Sequence, residues 1–179
     1  IESKSQHSCA INANNQVECW GSDYYGETTG WTESVNSLTT GQYFSCILDQ
    51  EDEIQCVGAT DDGRLDFPEG PFAKISGGYK HSCALDFNGN AHCWGGDEGA
   101  ALAVLPPTDT FVDITAGRYH SCGLKADNTV TCWGTNYSNE LEVPDELFLQ
   151  ISAGYTHTCG IILDGSIRCW GFEASIAAP

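Results

Sequence analysis

Ten cysteines and five histidines are the residues of this sequence whose types and spacing could do chemistry. Thiolates bind metals, attack as nucleophiles or oxidise to disulfides, and spacing discriminates among these fates. The cysteines fall into five pairs, each ten residues apart: Cys9 and Cys19, Cys46 and Cys56, Cys83 and Cys93, Cys122 and Cys132, Cys159 and Cys169. From pair to pair the first cysteine advances by 37, 37, 39 and 37 residues. His7, His81, His120 and His157 stand two positions before the first cysteine of four pairs. A zinc site would draw cysteines and histidines to one centre, whereas a regular repeat distributes them over five units. The same distribution argues against a catalytic ring and gives the histidines a structural place between strands. No cysteine is left over as a nucleophile, and Gly-x-Ser-x-Gly, His-Glu-x-x-His and phosphate-loop motifs are absent from the sequence. The chain is expected to be non-enzymatic, with no catalytic residue, cofactor or metal.

The elements that position these residues follow from the spacing. A separation of ten places one residue at the centre of a hairpin, so the turn holds an odd number of residues. Three-residue hairpin loops usually close with a residue in the left-handed region. That residue would be Asn15, Asp52, Gly89, Asn128 or Gly165, all of types that tolerate positive φ. In this register the two cysteines of a pair sit opposite each other on adjacent strands. Five local disulfides are predicted: Cys9 to Cys19, Cys46 to Cys56, Cys83 to Cys93, Cys122 to Cys132 and Cys159 to Cys169.

More than sulfur recurs. Ile75-Ser76-Gly77-Gly78, Ile114-Thr115-Ala116-Gly117 and Ile151-Ser152-Ala153-Gly154 precede His-Ser-Cys or His-Thr-Cys, and Cys-Trp-Gly follows at Cys19, Cys93, Cys132 and Cys169. Phe72, Phe111 and Phe148 open later units, and Pro68, Pro106, Pro144 and Pro179 recur between them. Apolar runs are short and bounded by Gly, Asn and Asp, with no helical period, so the chain reads as all-β. The expected repeats are approximately 1–35, 36–71, 72–110, 111–147 and 148–179, forming one domain.

The Ile-x-Ala-Gly-x-x-His-x-Cys … Asp-Gly … Cys-Trp-Gly pattern resembles the repeat of the regulator-of-chromosome-condensation family, including the β-lactamase-inhibitory propellers and cysteine-bearing extracellular relatives. Repeat 1 is expected to lack its opening strand, and repeat 2 has Phe44 for the histidine and Val57 for the tryptophan. The resemblance implies a β-propeller of four-stranded blades. Ile1 matches Ile151 and Pro179 matches Pro144, so the ends are adjacent in the repeat cycle and a closed five-bladed ring is expected. A segment of a larger array would have the same ends. Ile1 as first residue and the lack of Met lead us to expect a mature or excised form.

Ten paired cysteines imply an oxidising, extracellular setting, secreted or cell-surface, because cytosolic thiols are kept reduced. The formal charge of −18 argues against nucleic acid and anionic lipid. No stretch is long and apolar enough to insert in a membrane. Asn136-Tyr137-Ser138 is a candidate N-glycosylation sequon. Acid in the connectors at Asp61-Asp62-Gly63-Arg64 and Asp97-Glu98-Gly99 fits no calcium-loop spacing and is expected to be solvated.

Regularly placed histidines and tryptophans (Trp20, Trp94, Trp133, Trp170) are thus expected to build the ring. Residues that break the repeat are the candidates for function. The turn before each His-x-Cys strand carries Gln42 and Tyr43, Tyr79 and Lys80, Arg118 and Tyr119, or Tyr155 and Thr156. Tyrosines with basic neighbours on one rim have the chemistry of a recognition surface. In the β-lactamase-inhibitory relatives, aromatic residues of such turns contribute to partner binding. Tyr24, Tyr25 and the unrepeated Trp31 lie in the first connector and form a second candidate. The expected function is an extracellular interaction or scaffold module for a protein or glycan. A subunit of a surface assembly or fibre, contacting its own copies, and a propeller lyase are the alternatives.

Overall fold

The computed structural model describes residues 1–97 and 99–172. Five three-stranded antiparallel sheets follow one another along the chain. They are β1 (Glu2–Ser3), β2 (His7–Ile11) and β3 (Val17–Gly21); then β4 (Ser37–Thr40), β5 (Phe44–Leu48) and β6 (Ile54–Gly58). The third holds β7 (Lys74–Gly77), β8 (His81–Leu85) and β9 (Ala91–Gly95); the fourth β10 (Asp113–Ala116), β11 (His120–Leu124) and β12 (Val130–Gly134). The fifth holds β13 (Phe148–Ala153), β14 (His157–Ile162) and β15 (Ile167–Gly171). The resemblance implied four strands per blade, and among the described residues three are formed in each. The connectors after β6, β9 and β12 carry prolines, which lack the N–H that a fourth ladder needs. Repeat 1 does have an opening strand, contrary to expectation: the short β1 pairs with β2, Glu2 opposite Cys9.

Within each blade the middle and outer strands pair so that the two cysteines face each other, as in Cys83↔Cys93 and Cys122↔Cys132. All five predicted bridges are formed. Cys9 is joined to Cys19, Cys46 to Cys56, Cys83 to Cys93, Cys122 to Cys132 and Cys159 to Cys169. The bridge of blade 2 forms although that repeat lacks the histidine and the tryptophan, and its Cys56 packs partly buried against the core between blades 2 and 3. The hairpin loops have the expected geometry: φ is 60° at Asn15, 62° at Asp52, 84° at Gly89, 70° at Asn128 and 86° at Gly165. These residues also join blades. The carbonyls of Asn15, Asp52, Gly89 and Asn128 accept from the N–H of Val35, Phe72, Phe111 and Phe148 in the next unit, each at 2.8 Å.

Four junctions between successive blades hold the core. One face of a blade presents its disulfide and an aliphatic residue, and the next blade covers it with Phe, Ile and Trp. Phe111 and Phe148 pack with Trp133 and Trp170, ring centroids 5.6 and 5.4 Å apart. Gly123 lies under the Phe111 ring, where a Cβ would collide, so the glycine lets the phenyl seat flat on the strand. Near the axis the hydroxyls of Thr39, Ser76 and Thr115 accept from the N–H of Gly77, Ala116 and Ala153 one blade on.

Trp20 departs from the expected inter-blade core. It is 51% exposed, against 6%, 7% and 4% for Trp94, Trp133 and Trp170. Each of those three donates its indole N–H to a connector carbonyl of the preceding blade, at Arg64, Ala103 and Glu140. The opposite end matches: Ile167 of blade 5 is 48% exposed, whereas its counterparts Val17 and Ile54 are buried. Blade 1 reaches blades 4 and 5 through Lys4, whose Nζ donates to the carbonyls of Ala116 and Ala153 at 2.8 Å. Among the described residues no packed junction joins blade 5 to blade 1, and Pro179, invoked for ring closure, lies outside them.

Candidate functional site

The buried histidines form a relay between blades. His7, His81 and His120 bond through Nε2 to Ser45, Ser121 and Thr158 of the following blade at 2.8–2.9 Å. Gly78 and Gly117 leave room for the rings of His81 and His120, since a Cβ on either would touch the imidazole. A His–Ser pair invites a nucleophilic reading, but the His7–Ser45 pair is fixed the other way round. Ser45 donates its proton to the Glu27 carbonyl at 2.8 Å, so His7 must be the donor to Ser45, and both groups are shut from solvent. Burial pushes the His81 imidazole down to about 3 and the His120 imidazole to about 4, with the Lys4 ammonium adding to both. They are neutral spacers at neutral pH.

Repeat 2 breaks the relay. Phe44 occupies the histidine slot, and the hydroxyl it should meet, Ser82 Oγ, is buried without a partner. Trp31, offered by the sequence as a contact residue, packs partly buried against Cys9, Val17, Val35, Leu38 and Ile47 at the junction of blades 1 and 2. It also lines a separate recess with Asp49 and Gln55.

The rim turns do converge. Their backbones are laddered: Gln42 N–H donates to the Tyr79 carbonyl, Tyr79 N–H to Gly117 and Arg118 N–H to Tyr155, at 2.9–3.0 Å. This ladder brings side chains distant in sequence into one cluster. The Arg118 guanidinium lies 4.4 Å from the Tyr119 ring centroid, 4.5 Å from Tyr155 and 5.3 Å from Tyr79. Tyr79 and Tyr155 meet edge to face at 5.1 Å, and Gln42 Nε2 donates to the Tyr79 hydroxyl at 2.6 Å. Tyr43 sits in the left-handed region and touches Tyr25, centroids 5.2 Å apart, which in turn meets Tyr24. The rim and the tyrosines of the first connector are therefore one surface, with Trp31 outside it.

Asp62 and Asp97 of the acidic connectors flank this surface in ion pairs, while Asp61 is exposed. Asp62 is shared by Arg64 at 2.6 Å and Lys80 at 3.1 Å, and Asp97 binds Lys80 at 2.8 Å. Hydrogen bonds from Arg64, then Lys80, hold the Asp62 carboxyl below its usual range despite burial. Arg64, 1% exposed, also donates to the Gln42 carbonyl and so ties the connector beneath the rim. Sequence reading missed Arg64 and Asp62 as supports of the turns; the Asp-Asp-Gly-Arg run was the available signal. A groove of about 340 Å³ runs between Tyr25, Tyr43, Lys80, Arg118 and Tyr119. Beside it a recess of about 500 Å³ opens among Lys4, Tyr79, Arg118 and Tyr155. Asn136, the sequon residue, is exposed at a connector, its Oδ1 accepting from Leu141 N–H.

The regulator of chromosome condensation (RCC1) repeat matches residues 1–27, 72–98, 111–140 and 148–174. The second repeat, with Phe44 and Val57, falls outside those matches. No curated protein matches the sequence. Among solved structures, the whole ectodomain of the Physcomitrella patens receptor kinase CR4 is 29% identical with a TM-score of 0.78, over 96% of this chain and 49% of that one. The CRINKLY WD40 ectodomain of the Arabidopsis thaliana receptor kinase ACR4 is 27% identical, TM-score 0.75, over 94% and 61%. Prp20p from Saccharomyces cerevisiae, described with its binding to Gsp1p and histones, shares the fold at 17% identity, TM-score 0.78, over 94% and 56%. The chain spans roughly half to three-fifths of the length of these structures.

Proposed function

The chain belongs to the regulator of chromosome condensation (RCC1) repeat family, and from that premise we propose that it is a non-enzymatic extracellular interaction module. Its binding face is the rim built by Tyr25, Tyr43, Tyr79, Arg118, Tyr119 and Tyr155, with the exposed Tyr24 at its margin. One observation carries the reading: turns distant in sequence bring Arg118 and the rim tyrosines into a single aromatic and basic cluster, while the repeated Trp94, Trp133 and Trp170 are buried in blade junctions. Tyrosine and arginine supply large contact area with polar edges, the composition that dominates energetically at protein interfaces.

Five disulfides and two receptor-kinase ectodomains among its structural relatives support an extracellular setting. Among the described residues no helix is long and apolar enough to cross a membrane. Asn136 is proposed to carry an N-glycan, which a mass shift on glycosidase treatment of the native protein would reveal. The partner is a protein or a glycan. Saturable binding of the labelled protein to the outer surface of its source cells tests the reading, with protease or glycosidase pretreatment separating the two partners. Absence of saturable surface binding counts against it.

A second reading, assembly between copies, is favoured by the faces that the described residues leave exposed on blades 1 and 5. Trp20 on blade 1 and Ile167 on blade 5 belong to opposite halves of the junction the chain makes four times internally. Heterologous contacts of this kind build rings or filaments. Light scattering across a concentration series decides it, and a strictly monomeric chain excludes it.

A further inference from the structure

The seven basic side chains of this acidic protein are not equivalent. Lys4 is held by two backbone carbonyls. Arg64 and Lys80 share Asp62 and reach Asp61 and Asp97. Lys74 binds Asp113, Lys125 binds Asp109 and Arg168 binds Glu146. Among the described residues Arg118 alone has neither a carboxylate within 4.0 Å nor a carbonyl cradle like that of Lys4, and its Nε is buried without an acceptor.

Three tyrosine rings surround its Cζ at 4.4–5.3 Å and restrict how the guanidinium can turn, so a ligand meets it at its edge. That edge carries the N–H donors, which match a carboxylate in two parallel hydrogen bonds. The crowding of three rings restricts the fork in advance, which lowers the ordering cost of an incoming ligand. Arg118 lines both the groove of about 340 Å³ and the recess of about 500 Å³, so its edge is approachable from the rim.

We propose that Arg118 is a carboxylate receptor, taking a single aspartate or glutamate side chain of a neutral or basic partner protein. The inference rests on the reading of the rim as the binding face and names what that face recognises. Charge selects a protein over an acidic polysaccharide. With a formal charge of −18, a polyuronate laid across the surface meets repulsion along its length, whereas one carboxylate needs only the local cation.

The test uses the oxidised, full chain labelled with ¹⁵N. Ac-Glu-NH₂ and its neutral isostere Ac-Gln-NH₂ are titrated while the Arg118 Nε–Hε resonance is followed. A saturable shift with the glutamate compound alone, on the order of millimolar in affinity, is expected. Arg118→Lys should weaken binding by about tenfold or more, since a point charge cannot make the paired bonds. Arg168→Gln should leave it unchanged. Equal shifts with both compounds, no shift at Arg118, or undiminished binding in Arg118→Lys would overturn the proposal. So would tighter binding of polygalacturonate, per carboxylate, than of Ac-Glu-NH₂. Should Arg118→Lys lose its folded melting transition, the comparison of the two compounds on the unmutated protein still decides. A failed titration leaves surface binding of the protein intact and so separates this inference from the wider reading.

Discussion

Ser82 and Ser121 occupy the same place in consecutive blades, yet removing their hydroxyls should change stability in opposite directions. Ser121 Oγ lies 2.9 Å from His81 Nε2 in a site closed to water, and with its own proton directed at the Ala103 carbonyl it is placed to accept from the imidazole N–H. Ser121→Ala leaves that buried N–H unpaired, at about 1–3 kcal/mol. For a chain of this size each kcal/mol moves the melting temperature by roughly 2–4 °C, so a fall of about 2–12 °C follows. Ser82 Oγ has no such donor, because Phe44 stands where the histidine should be, and it is buried without a partner. Ser82→Ala removes a desolvated hydroxyl and should raise stability by about 1 kcal/mol. Thermal unfolding with disulfides intact measures both. A double-mutant cycle with Phe44→His sharpens the test, since restoring the donor should abolish the gain. The reasoning is refuted if Ser82→Ala destabilises as much as Ser121→Ala.

Acid should loosen the contacts between blades before it touches the disulfides. His81 and His120 titrate in the folded protein at about 3 and about 4, below the ordinary 6.5, so on acidification the unfolded chain takes up protons first. Their stabilisation is complete above pH 6.5 and is lost between 6.5 and about 3, at up to about 1.4 kcal/mol per pH unit for each histidine. Melting temperature against pH checks this, and a flat profile from 6.5 to 4 would contradict it. Replacing Cys122 and Cys132 together by alanine removes the constraint on one ten-residue loop and should cost about 2–3 kcal/mol in denaturant melts. Trp31→Ala should cost about 2 kcal/mol or more through the junction of blades 1 and 2, whereas Tyr24→Ala should stay within about 0.5 kcal/mol.

The hairpins were legible in the sequence because their determinants are local. A ten-residue spacing with Asn, Asp or Gly at the third loop position defines register, turn and disulfide together, and Asn15, Asp52, Gly89, Asn128 and Gly165 all adopt the required φ. Cys46 and Cys56 show how local this is, since they pair like the others in the repeat that departs most from the pattern. The relation between blades was less legible, because it depends on which face each neighbour covers. Trp20 has the same local sequence as Trp94, yet lacks the covering contacts that bury Trp94. Trp31 breaks the repeat as a contact residue would, yet it packs partly buried at the junction of blades 1 and 2. The rim tyrosines were legible as a group. The stacking of Arg118 among them was not, because it arises from laddering of turns about 37 residues apart.

Reading binding and stability on the same variants tests most directly whether function resides in the rim. Tyr119→Ala, Tyr155→Ala and Leu163→Ala, the last an exposed apolar residue outside the rim cluster, would each be scored for surface binding and for melting temperature. The account predicts that the two tyrosine variants lose most of their binding while remaining folded, and that Leu163→Ala keeps both. Full binding by the two tyrosine variants would contradict it.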